Sequence, residues 1–154
     1  MTLVRNLPLF ILAAAVTPHA FSQEKKVERR DLPPAVEKAL TSVASGAEIR
    51  GFATEKENGQ IFYEVQLSTH GRKKDVLMDA TGQVVEVEEE ITLDALAPAV
   101  RDGLQARAGK GKLIKVESIT KHDKLVAYEA QVLTGSRKSE VQIGPDGKAL
   151  NHEE

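Results

Sequence analysis

An α+β fold is predicted for this chain: a tandem repeat of a helix followed by a four-stranded antiparallel sheet, with the helices on one face and the other sheet face open. Three observations predict it. The stretch Ile61 to Val87 returns as Val126 to Leu150 at a constant offset of 65, so that Tyr63-Glu64 matches Tyr128-Glu129, Arg72-Lys73 matches Arg137-Lys138, Val76 matches Val141, Met78 matches Ile143 and Gly82 matches Gly147. A fixed period of this kind marks repeated structural units. Ile61, Tyr63, Val65 and Leu67 alternate with Phe62, Glu64 and Gln66, the period of two expected of a strand with one buried face. Leu32, Val36, Leu40 and Val43 recur at helical spacing before the first copy, and Leu96, Val100 and Leu104 do so before the second.

In order, residues 1–22 are expected to be a signal peptide. Arg5 precedes an apolar run from Leu7 to Val16, and Ala20-Phe21-Ser22 closes the segment with small residues where a signal peptidase reads. Cleavage is expected after Ser22, with Ala20 as the alternative. The apolar run is about ten residues, against roughly 20 for a membrane-spanning helix, so no membrane span is expected once the signal is removed. Residues 23–30, QEKKVERR, read as a solvated charged tether.

The first unit covers 31–90. Asp31 is placed as helix N-cap before Leu32-Pro33-Pro34, where proline is tolerated because first-turn N–H groups have no intrahelical acceptor. Ser45-Gly46 ends the helix. Ile49 to Glu55 and Gln60 to Ser68 follow as strands joined at Glu57-Asn58-Gly59. A two-residue Asn-Gly loop turns Phe52 inward, whereas the match of Ile49 with Ile114 turns it outward. The next hairpin turns at Thr69-His70-Gly71, and pairing Tyr63 with Met78 and Val65 with Val76 keeps apolar partners on one face. Asp79-Ala80-Thr81-Gly82 is a turn and Gln83 to Val87 a fourth strand.

The second unit covers 91–154, including a short tail. The acidic run Glu86 to Glu90 leads into it as a solvated connection, Thr92 or Asp94 caps its helix, and Gly103 weakens that helix by about 1 kcal/mol relative to alanine. Helix positions match at an offset of 64 and strands at 65, which places one inserted residue in the loop Ala108 to Lys112.

Composition removes several functional classes. The 154 residues are 41% hydrophobic and 29% charged, as in a globular protein, and a net charge of −2 gives no basic surface for nucleic acid. Cysteine is absent, so disulfides, thiolate metal sites and cysteine nucleophiles are excluded. No serine stands in a G-x-S-x-G elbow, and His70, His122 and His152 have no metal-ligand spacing, so no catalytic residue, metal or cofactor is assigned and no enzyme is expected.

At Leu32-Pro33-Pro34-Ala35-Val36, Tyr63-Glu64-Val65 and Asp79-Ala80-Thr81-Gly82 the chain resembles the exported bacterial PepSY-like family, also called β-lactamase-inhibitor-like. The second copy departs from the pattern with Leu96-Ala97-Pro98, Tyr128-Glu129-Ala130 and Gly144-Pro145-Asp146-Gly147. The resemblance implies tandem small α+β units in a periplasmic or secreted protein, and a peptide-binding or inhibitory role by analogy of fold.

The expected function is a non-enzymatic exported module that binds a protein or peptide of the cell envelope on its open sheet face, inhibition of an envelope hydrolase being one form of that role. Phe62 alternates out of the apolar set and is the candidate anchor, with Glu64, Gln66, Glu129 and Gln131 on the same face. Arg72 and Lys73 recur as Arg137 and Lys138 on the matched hairpins and complete the candidate set. The alternative is a cation-responsive envelope protein using the acidic run and the turn aspartates Asp79 and Asp146.

Overall fold

The computed structural model describes residues 24–57, 59–152 and 154. The expected signal peptide, residues 1–22, lies outside the described residues. Elements follow in the order β1 (Lys25–Val27), α1 (Pro34–Val43), β2 (Glu48–Glu57), β3 (Gln60–Thr69), β4 (Arg72–Met78), β5 (Val84–Glu90), α2 (Pro98–Ala108), β6 (Lys112–Lys121), β7 (Lys124–Thr134) and β8 (Arg137–Ile143). Short 3-10 turns, Arg29–Asp31 and Leu93–Ala95, precede the two helices.

Among the described residues, eight strands form one antiparallel sheet in sequence order, each strand paired with the next. This corrects the expected tandem repeat of a helix and a separate four-stranded sheet. The decisive pairing is β5 with β6, from Glu86 opposite Lys121 to Glu90 opposite Glu117, so the sheet does not break at residue 90. The acidic run is a strand rather than a solvated connection. Its Glu86 meets Lys121 at 3.5 Å, and its alternation carries Val87 onto the apolar face. The strand inventory differs as well. Lys25–Val27, read as part of a tether, pairs with Thr54, Ala53 and Phe52 as the first strand, whereas Lys148 to Leu150 is not a strand.

Helix starts also differ in detail. Asp31 does not cap α1; its Oδ2 accepts the Glu28 N–H at 3.0 Å and closes the preceding turn, leaving Pro33 as N-cap and Pro34 at the first helical position. Likewise Thr92 caps the Leu93–Ala95 turn, and Ala97 precedes Pro98 at the start of α2. In both places a proline with φ fixed near the helical value begins the helix without a side-chain cap.

Within the sheet, Tyr63 stands opposite Met78 and Val65 opposite Val76, the register that apolar matching requires. Tyr128 opposite Ile143 and Ala130 opposite Val141 are the corresponding pairs of β7 and β8. Leu32, Val36 and Leu40 pack on Val65, Leu67, Val76 and Met78. Leu96, Val100 and Leu104 pack on Leu113, Val116, Ala130, Val132 and Ile143, while Tyr63, Tyr128 and Val141 are only partly buried at the cluster margins. Register carries the same parity across the β5–β6 seam: Val87 faces Thr120, and Glu89 faces Ser118, which faces Tyr128. Both helices therefore cover one sheet face.

Two bulges settle open points. Ile49 pairs with Leu67 but Gly51 with Gln66, which leaves Arg50 as an extra residue and lets Ile49 and Phe52 both pack on the helix side. In β7 the pairing jumps from Ala127 to Leu125, so the change of offset from 64 to 65 falls at Val126 inside a strand and not in the loop Ala108 to Lys112.

Gly103 has a packing reason that outranks helix propensity. A β-carbon there would overlap the carbonyl oxygen of Gly147, and one at Gly147 (φ 80°) would overlap that of Ala99. The turn after β8 thus lies directly on α2.

Candidate acidic face of the sheet

Among the described residues, the second face of the sheet carries no helix. On β3 it presents Phe62, Glu64 and Gln66, whose cross-strand partners are Glu55, Ala53 and Gly51 on β2, with Leu77 and Asp75 opposite Glu64 and Gln66 on β4. On β7 it presents Glu129 and Gln131, opposite Glu117 and Lys115 on β6. The five face residues expected from alternation thus lie on one surface, in two groups separated by β4, β5 and β6. Phe62 is half-buried there. Of the four basic residues, Lys73 and Lys138 have the parity of this face, while Arg72 and Arg137, opposite Thr69 and Thr134, have the parity of the helix side. The basic residues do not gather with Phe62.

What the face does gather is carboxylates. A cavity of about 390 Å³ is lined by Glu55 and Glu57 from β2, Glu64 and Gln66 from β3, Asp75 and Leu77 from β4, Glu86 and Glu88 from β5, and Lys121 from β6, together with Glu24 and Glu154. Side chains from β2 and from β6 can line one cavity only because the sheet curves, and this face is its concave side. A second depression of about 680 Å³, lined among others by Glu48, Arg50, Ser68, Lys73 and Asp75, adjoins it through Gln66 and Asp75, which line both. The Glu154 N–H donates to Gln142 Oε1 at 2.9 Å, so the tail lies against the same face.

Burial sets the protonation of these groups. Glu64 is 8% exposed. Burial pushes its carboxyl up to about 7, against a hydrogen bond from Gln66 and with help from the charges of Asp75 and Glu24 and from Glu55. Glu88 is pushed to about 8 by burial first, then by Glu117, Glu86, Glu129 and Asp75. Asp75, Glu86 and Glu129 are raised by burial too, with Lys121 partly offsetting the effect at Glu86 and the Gln142 amide, 2.8 Å from Glu129 Oε2, partly offsetting it at Glu129. Such shifts record that several like charges share a poorly solvated surface.

Among the described residues, Glu64, Asp75 and Glu88 have no ion-pair partner, whereas Lys115 holds Glu117 at 2.5 Å and Lys121 holds Glu86. At Lys115 burial pulls the pKa down, but the bond and charge of Glu117 outweigh it and the ammonium is stabilised. Carboxylate oxygens of Asp75, Glu88 and Glu117 approach within 4.8 Å of one another. The turn aspartates are engaged elsewhere. Asp79 Oδ1 accepts from the Thr81 hydroxyl at 2.6 Å and the Thr81 and Gln83 N–H groups, and Asp146 accepts from the Lys148 N–H at 3.0 Å. Those bonds hold both carboxyls below the usual range, the Thr81 hydroxyl bond leading at Asp79 and the Lys148 N–H at Asp146.

Sequence alternation identified Glu64 and Gln66 and missed Glu55 and Asp75; Glu86 and Glu88 were named only in the acidic run of the cation-responsive alternative and were not placed on this face. The signal was present: extending the two-residue period through Val84–Glu90 puts Glu86 and Glu88 opposite Leu77 and Asp75.

No protein-family model matches the chain, and no curated protein does. Solved structures do. A DUF2874 family protein from Bacteroides ovatus ATCC 8483 is 21% identical, with a TM-score of 0.62 over 79% of this chain and 86% of that one. A BLIP-like protein from Bacteroides fragilis NCTC 9343 is 21% identical, with a TM-score of 0.58 over 79% and 86%. A protein from Bacteroides eggerthii DSM 20697, provisionally described as periplasmic, is 20% identical, with a TM-score of 0.64 over 78% and 86%. At this identity the likeness shows the fold: the chain folds like a BLIP-like protein. The β-lactamase-inhibitor-like half of the resemblance seen in the sequence holds at that level, and the tandem PepSY-like units do not. Among the described residues no helix is long and apolar enough to cross a membrane.

Proposed function

We propose that the protein is a non-enzymatic binding module of the periplasm or exterior, receiving a positively charged protein or peptide on the concave, helix-free face of its sheet. The observation that carries this reading is the set of buried and half-buried carboxylates that have no ion-pair partner among the described residues, Glu64, Asp75 and Glu88, on a cavity lined by eight carboxylates and one lysine, with Lys115 acting on Asp75 and Glu88 only at longer range. Burying a charge is costly unless it is paired, and a partner's lysine or arginine would supply the pair. Export is supported by the Arg5 and Leu7 to Val16 segment and by the periplasmic description of the Bacteroides eggerthii protein of similar fold. The BLIP-like description of the Bacteroides fragilis protein makes inhibition of an envelope hydrolase the first activity to assay. The test compares capture from envelope extract by wild type and by Glu64→Gln/Asp75→Asn/Glu88→Gln. Partners retained by wild type and lost by the variant support the reading; an identical set on both overturns it.

A second reading is favoured by one specific observation, the approach of Asp75, Glu88 and Glu117 oxygens within 4.8 Å, which offers a divalent cation three hard ligands. Lys115 already neutralises Glu117, which weakens that offer. A calcium-dependent rise in melting temperature, absent in Glu88→Gln, would favour this reading.

A further inference from the structure

We infer that the two depressions on the helix-free face are one groove, and that its ligand is an extended basic segment that seats a lysine or arginine side chain against Glu64 and continues over β3 and β4 into the second depression. This rests on the reading of the face as a binding surface and deepens it to a ligand class and a mode of binding. Gln66 and Asp75, cross-strand partners at the centre of the face, line both depressions, so the two adjoin directly across this one pair of side chains. Glu64 marks the cation end: it is 8% exposed, has no ion-pair partner among the described residues and lines the acidic cavity. Its raised pKa agrees with a carboxylate lacking a counter-ion. A chelated metal ion would satisfy one cluster, but the carboxylates extend from Glu55 and Glu57 on β2 to Glu86 and Glu88 on β5, a distribution that suits several charges carried on a chain. The groove follows β3 through Glu64, Gln66 and Ser68, alternate residues of one strand. Alternate side chains of an extended peptide repeat at the same distance, about 7 Å, and can meet each in turn. The second depression is mixed in charge, with Arg50 paired to Glu48 at 3.0 Å, so the basic group belongs at the Glu64 end.

The probes are fluorescein-labelled hexalysine and lysine amide, titrated at low salt against the whole protein and three variants that keep the helix-side core intact. Glu64→Gln is expected to weaken both probes about tenfold, the cost of one charge-assisted contact. Ser68→Tyr, which fills the second depression, should weaken hexalysine about fivefold and leave lysine amide unchanged, consistent with loss of only part of the contact surface. Asp102→Asn, on the exposed side of α2, should change neither. Equal losses in Glu64→Gln and Asp102→Asn would show diffuse charge attraction, and an inert Ser68→Tyr would show a single amine pocket; either overturns the groove. Envelope partners lost on Glu64→Gln/Asp75→Asn/Glu88→Gln despite one of those outcomes would leave the broader reading standing while removing this one.

Discussion

Glu64→Gln should make the protein more stable at pH 8 while impairing its binding. In the folded chain Glu64 titrates at about 7 instead of 4.5, because burial disfavours its charged form. Between those two values the folded protein retains a proton that the unfolded chain has released, so stability falls as pH rises. The contribution is fully present below the unfolded value and lost once pH passes the folded one. The gap corresponds to about 3 kcal/mol as an upper bound, since each pH unit is worth about 1.4 kcal/mol. Glutamine fills nearly the same volume and carries no charge, so at pH 8 the variant should recover a good part of that amount, while at pH 5 it should match wild type. Urea unfolding followed by circular dichroism at one-unit steps from pH 5 to 9 measures both curves. Glu88, titrating at about 8, acts in the same direction, so the variant should keep a shallower decline, not a flat line. Wild-type stability that is constant or rising from pH 5 to 8, or a variant less stable than wild type at pH 8, would refute the claim that Glu64 is a buried carboxylate without a counter-ion.

Other outcomes follow from packing and from the face assignment. Met78→Ala, at a site with no exposed surface, should cost about 2 to 5 kcal/mol, and Gln66→Ala on the opposite face much less, as read from paired chemical melts. Gly103→Ala should destabilise despite a gain of about 1 kcal/mol in helix propensity, because the new methyl overlaps the Gly147 carbonyl; a raised melting temperature would contradict that contact. Phe62→Ala should weaken hexalysine binding by about 1 to 2 kcal/mol in the same titration if the ring is an anchor beside the acidic cavity. Raising salt from 50 to 500 mM should slow hexalysine association measured by stopped flow far more than it speeds dissociation.

Local alternation made much of the sheet legible. Tyr63 opposite Met78 and Val65 opposite Val76 could be placed because only one register keeps apolar residues together, and the helix stripes at Val36, Leu40, Val100 and Leu104 followed from spacing alone. The joining of the whole into one sheet was not legible. Val84–Glu90 is too acidic to look like a central strand, and its pairing with Lys112–Lys121 depends on a partner more than 20 residues away in sequence. The acidic cavity was not legible for a related reason: the strand was read only as far as Val87 and the rest of the acidic run as a connection, so Glu86 and Glu88 could be offered to a cation but not placed opposite Leu77 and Asp75. Phe52 resisted placement because a bulge at Arg50 breaks the simple alternation on which such reasoning relies.

The most direct test of the central claim, that the concave helix-free face takes a positively charged segment, is a chemical-shift map of isotopically labelled protein titrated with hexalysine. The account predicts saturable shifts at the backbone amides of Glu55, Glu64, Asp75 and Glu88, with the amides of α1 and α2 unmoved. Shifts confined to the helices, or spread evenly over every acidic residue without saturation, would contradict it.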